Sequence, residues 1–160
     1  MKHVISALVQ NKPGVLAHVA GMFAARAFNI DSLAVGRTDD PNLSRMTIVV
    51  IGDSKVVEQV RKQLGKIISV VKVQDFVGME IVNRDLLLIN VHTTPEKRPE
   101  MQALVTMFDA KVVDIGPKNV MIEICGPENK IEAFIEACKP YGIKSIARTG
   151  TIAMPRYARP

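Results

Sequence analysis

The sequence has no tryptophan, and Phe and Tyr make up only 4% of its 160 residues. Single-stranded nucleic acid is held by stacking bases on aromatic side chains. A sheet that reads RNA likewise presents aromatics on its open face, and the strand-like segments here carry Val, Ile and Ser instead. There are two cysteines, Cys125 and Cys138, and neither belongs to a C-x-x-C pair, so zinc-ribbon and dithiol-redox chemistry are not indicated. Both lie in apolar stretches and read as small buried hydrophobes. No apolar run approaches the ~20 residues that cross a bilayer. Met1-Lys2-His3-Val4 is not the start of a signal-peptide core, and a cytoplasmic location is expected.

Chemistry-bearing patterns are equally sparse. There is no G-x-G-x-x-G and no Lys behind a glycine-rich loop, so the dinucleotide and P-loop fingerprints are missing. His3, His18 and His92 are isolated, and Asp39-Asp40 sits in a turn-rich loop where such pairs form turns. No nucleophile–base pair and no metal-ligand cluster is formed. A non-catalytic protein without a metal site is expected.

What is present is an apolar fraction of 48%, enough for a real core, and a net charge of +5. The basic residues are scattered; the densest group, Arg61-Lys62 with Lys66, falls on a solvated helix face. The hydrophobic periodicity repeats. Val4–Val9 reads as a strand, and Val15, Val19, Met22 and Phe23 mark a helix face at i, i+4, i+7 and i+8. Two strands around the polar loop 36–42 follow, then a helix opened by Asp53 or Ser54 with Val56, Val60 and Leu64 on one face, then a strand from Ile67 to Phe76. The second half repeats this order, with strands at 86–91, 112–115, 120–125 and 143–148 and helices from Pro99 and around Ile131. The predicted fold class is α+β: two ferredoxin-like βαββαβ domains, at 1–77 and 85–160, with 78–84 as linker. The first domain's sheet looks apolar on both faces, which predicts self-association.

One turn stands out. Asn11-Lys12-Pro13-Gly14-Val15-Leu16 joins the first strand to the first helix. Helix N-termini carry unpaired N–H groups and the positive end of the dipole, so a carboxylate docks there readily. Gly14 lets a ligand approach the backbone, and Asn11 adds an amide at the rim. The same residues also make an ordinary capped turn.

Two further stretches, Phe28-Asn29-Ile30-Asp31-Ser32-Leu33-Ala34-Val35 and Asp39-Asp40-Pro41-Asn42-Leu43-Ser44-Arg45-Met46-Thr47-Ile48, join Pro13-Gly14-Val15-Leu16 in order and spacing. Over residues 3–76 the chain closely resembles the small regulatory subunit of acetolactate synthase, and this half resembles an ACT domain. The second half resembles that family's C-terminal domain more loosely, best at Ala147-Arg148-Thr149-Gly150. The resemblance implies a homodimer that binds the large catalytic subunit, activates it and confers feedback inhibition by valine, or by leucine or isoleucine. Thiamine diphosphate, Mg and FAD are implied only in that partner, with no cofactor in this chain. The effector is implied to lie between paired ACT domains. Asn11, Gly14, Val15 and Leu16 would come from one copy, and Asn29 and Ile30 from the other. Asn29 follows the first helix and so stands a helix length from that helix's own start. Asp31, Gly36-Arg37 and the ending Met154–Pro160 depart from the family's commoner residues. The second domain has Thr93-Thr94-Pro95-Glu96-Lys97 at its corresponding turn, with no glycine, and no effector site is expected there. A stand-alone ACT-type amino-acid sensor acting on another enzyme or regulator is the alternative.

Overall fold

The spaced apolar residues fold as the periodicity requires: helix α1 (Val15–Ala25) buries Val15, Val19, Met22 and Phe23. The computed structural model describes residues 1–157; Ala158, Arg159 and Pro160 of the divergent ending lie outside the described residues. Strand β1 (Lys2–Gln10) precedes α1, and β2 (Ile30–Arg37), β3 (Leu43–Ile51), α2 (Ser54–Gly65) and β4 (Val70–Asp75) follow. The sheet order is β2-β3-β1-β4, with antiparallel neighbours. Both helices lie on one face, where Ile5, Ala7, Val9, Met46, Ile48 and Val50 meet the buried side of α1 and Val57, Val60 and Leu64 of α2. The sequence reading placed Val56 on that side. Asp53 caps α2 by accepting from Val56 N–H at 3.0 Å, and the helix so phased turns Val57 inward and leaves Val56 half-buried.

The second βαββαβ set runs β5 (Ile81–His92), α3 (Arg98–Met107), β6 (Lys111–Ile115), β7 (Asn119–Gly126), α4 (Glu128–Cys138) and β8 (Ile143–Arg148), in sheet order β6-β7-β5-β8. Its core joins Leu87, Ile89, Ile122 and Ile124 to Val105, Ile131 and Phe134. The two sets end their first helix alike. Ala27 and Asp109 adopt left-handed φ of 54° and 52°. Around them Ala27 N–H donates to Ala24 O and Phe28 N–H to Phe23 O, as Asp109 N–H does to Thr106 O and Ala110 N–H to Val105 O. Both are Schellman closures without glycine. An edge-on aromatic pair fills each core beside them, Phe23 with Phe28 and Phe108 with Phe134.

The chain divides into two units, one of residues 1–82 with the stretch from Thr151 onward, the other Asn83–Gly150. This differs from the sequence-based boundaries at both places. Strand β5 begins inside the expected linker, and the chain returns to the first unit after Gly150. Thr151 N–H donates to Ser32 Oγ at 3.4 Å, Arg156 N–H donates to Glu80 O at 2.9 Å, and β9 (Ile152–Pro155) pairs with β5. Ser32 lies on the face opposite the helices, in register with Val49, as Ala34 is with Thr47. Thr47, Val49 and Ser6 on that face are buried, as are Thr151 and Ala153. Arg45 adds a donor to Ser6 Oγ there. The chain itself thus meets the apolar face that predicted self-association, through Thr151 at Ser32.

Candidate functional site

Each element of the strand-to-helix turn has a local cause. Strand β1 ends at Gln10, whose N–H donates to Ser69 O. Pro13 restricts the backbone and cannot donate. Gly14 then takes φ +85°, a left-handed conformation, as the N-cap of α1. A residue with a Cβ pays roughly 1–2 kcal/mol there, so glycine is required by conformation. The space over it is open, since nothing lies within 4 Å of where a Cβ would stand.

Helix α1 begins without compensation. No side chain caps it and its first turn contains no acid. Val15 N–H reaches Lys12 O only at 3.4 Å. Leu16 is 46% exposed beside the turn, while Val15 turns its side chain into the core. The other helices differ: Asp53 caps α2, Glu100 stands in the first turn of α3 and Glu128 in that of α4. The positive end of the α1 dipole thus faces solvent with open space over Gly14, which is the electrostatic and steric setting for a carboxylate.

Asn11 is exposed, with two of its donors already engaged. Its N–H donates to Asn42 O at 2.7 Å and its Nδ2 to Pro41 O at 3.0 Å. The structure brings Asn11, Gly14, Val15 and Leu16 together. Asn29 and Ile30 stand beyond the other end of α1, about 16 Å away for 11 residues at ~1.5 Å each. Asn29 is exposed and accepts from Ile51 N–H. Ile30 packs partly on the core, and a bulge at Asp31 re-aims the strand after it. Strand β2 is a sheet edge.

The second unit treats the same turn differently. A short 3-10 turn, Pro95–Lys97, leads into α3 with Pro99 and Glu100 in the first turn. Tyr141 OH donates to Glu100 at 2.6 Å, and this bond pushes the Tyr141 phenol up to about 12. Arg98 donates to Gly116 O. No glycine opens the helix, and its start is occupied by the chain's own groups.

Residue-by-residue reading missed a buried ion pair. Asp85, 1% exposed, receives Arg148 Nε at 2.9 Å and Nη2 at 2.5 Å, and Glu132 receives Arg148 Nη1 at 2.7 Å. Thr149 Oγ1 lies 3.4 Å from the second Asp85 oxygen and accepts from Leu86 N–H. The Ala147-Arg148-Thr149-Gly150 stretch was its only visible sign.

Comparison with known proteins decides the family. A model described as the AHAS small subunit-like ACT domain matches residues 5–72, and one described as the small subunit of acetolactate synthase matches residues 84–157. The chain is 54% identical to the probable acetolactate synthase small subunit of Archaeoglobus fulgidus, over 98% of each chain. The chain belongs to the acetolactate synthase small-subunit family. It is 45% identical to the Bacillus subtilis acetolactate synthase small subunit, covering 98% of this chain and 91% of that one. The crystal structure of the Thermotoga maritima acetolactate synthase small subunit superimposes with a TM-score of 0.92 at 42% identity, over 99% of both chains. The first unit's sheet is thus the ACT domain of a regulatory small subunit. Among the described residues no helix is long and apolar enough to cross a membrane.

Proposed function

We propose that this chain is the feedback sensor of acetolactate synthase: it binds the large catalytic subunit, activates it, and makes it inhibitable by a branched-chain amino acid, valine first. The uncapped, acid-free start of α1 behind the left-handed Gly14 carries the proposal. The effector carboxylate docks on the N–H groups of the first turn, at Leu16 and at Val15, whose only bond is the long one to Lys12 O. Its ammonium is held by amide oxygens and its side chain lies against Leu16. Asn29 and Ile30 of a second copy complete the site, because the same copy's pair stands a helix length away. The β2 edge, with Val35 46% exposed, offers the pairing surface.

Chemistry stays with the partner, which holds the thiamine diphosphate, Mg and FAD. The three histidines lie on three different elements, β1, α1 and β5, and burial pushes the Cys138 thiol up to about 11. The effector acts by favouring one arrangement of the dimer over another, and it shifts that balance only by its difference in affinity for the two. Coupling of this kind is about 1–3 kcal/mol.

The test mixes two defective chains, Gly14→Asp and Asn29→His. Each alone is expected to bind no valine in calorimetry. A mixed dimer has one site with both defects and one with neither, so mixing restores binding at one site per mixed dimer. No recovery on mixing, with each variant folded, places both halves in one chain or the site elsewhere. Equal valine inhibition of the large subunit with and without this chain sinks the regulatory role.

A further inference from the structure

Asn11 is placed to do more than rim a pocket. Its N–H and one Nδ2–H are both spent on the loop between β2 and β3, at Asn42 O and Pro41 O. That loop is internally braced. Asp40 Oδ1 accepts from Asn42 N–H at 2.9 Å and from Asn42 Nδ2 at 3.1 Å. Thr38 Oγ1 donates to the Asp40 and Leu43 carbonyls and accepts from Asp40 N–H. Backbone bonds from Thr38 N–H to Leu43 O and from Leu43 N–H to Asp40 O close it. A loop tied by this many bonds moves as one body; it continues the β2–β3 hairpin, and the two bonds from Asn11 join it to the turn that opens α1. The tip, at Asp39 and Pro41, is exposed.

Resting on the effector site proposed above, we infer that Asn11 is a positioning residue and that the loop Thr38–Leu43 is the output of that site: effector on the turn shifts Asn11, the braced loop follows, and its exposed tip carries the change to the catalytic subunit. Asn11 retains its Oδ1 as an acceptor for the effector ammonium, so one amide faces both ligand and loop.

The double variant Thr38→Val with Asp40→Ala unbraces the loop and leaves residues 11–16 untouched. In the holoenzyme reconstituted from full-length chains, valine affinity is expected to stay within about twofold while maximal inhibition falls by half or more. In the wild-type chain, valine is expected to slow exchange of the Asn42 and Leu43 amides by about threefold or more. Undiminished inhibition in the double variant overturns the inference, as does exchange indifferent to valine. So does a collapse of valine affinity in the variant, which makes the loop part of the pocket. Absence of valine binding to the wild-type chain overturns the effector site itself, and is distinguished by the missing heat.

Discussion

The two units share one topology and one way of ending their first helix, yet they open that helix in opposite ways. In the first, Gly14 at φ +85° leaves the dipole bare and approachable. In the second, a 3-10 turn, Pro99 and Glu100 occupy the corresponding place, and Tyr141 holds Glu100. The packing that makes a βαββαβ fold is indifferent to this difference, because neither opening takes part in the core beyond residues such as Val15. The proposed function therefore rests on a turn that the fold permits and does not demand. The charge divides in the same direction: residues 1–82 and 151–160 contain twelve Lys and Arg against seven Asp and Glu, whereas 83–150 contain nine of each.

The largest expected effect tests whether the second unit stands by its own buried pair. Arg148→Met leaves the Asp85 carboxylate buried without its partner, at a cost of about 3 kcal/mol. Denaturant titration followed by amide exchange should show protection lost across β5 and β8, with valine affinity retained. A loss in β1–β4 of the same size would contradict the separation. Next is Gly14→Asp, which sets a carboxylate where the effector's would dock. Calorimetry should show at least a ~100-fold loss of valine affinity, about 2.7 kcal/mol, whereas Glu100→Gln in the second unit should leave it unchanged. The paired helix ends give a smaller effect. Ala27→Gly relieves a left-handed alanine and should gain about 0.5–1 kcal/mol after the glycine entropy cost. Asp109→Gly should gain less, since Asp tolerates that region better. Gains that fail to add in the double variant would show coupling between the units.

The smallest effect is a pH dependence confined to the second unit. The Tyr141 phenol titrates higher in the folded state than its ordinary 10, at about 12. Its neutral form, donating to Glu100, contributes in full below pH 10, and the contribution fades as pH rises toward 12. Thermal midpoints of wild type and Tyr141→Phe should therefore converge over that interval. Parallel curves would show that the bond contributes nothing.

Much of this was legible in the sequence, for reasons that vary with the residue. The two βαββαβ sets follow from apolar spacing, because a helix face and a strand face are local properties. The turn at Gly14 was legible because the left-handed cap calls for glycine and the residue itself is on view. Val57 was missed in favour of Val56, since the phase of α2 is set by which residue caps it. Asp85 and Arg148 lie 63 positions apart, and Asn11 and Pro41 30 apart; no periodicity connects such partners. The return at Thr151 escaped for the same reason, being a contact with Ser32 across 119 residues.

That return gives the chain an order of events. The four-stranded sheet of the ACT domain is encoded in the first 82 residues, but a segment near the C-terminus belongs to the same unit and meets its far face at Ser32. During synthesis from the N-terminus, Ser32 waits for the whole second unit to emerge before Thr151 reaches it. A fragment ending at residue 77 would keep every residue of the proposed site and lack that contact.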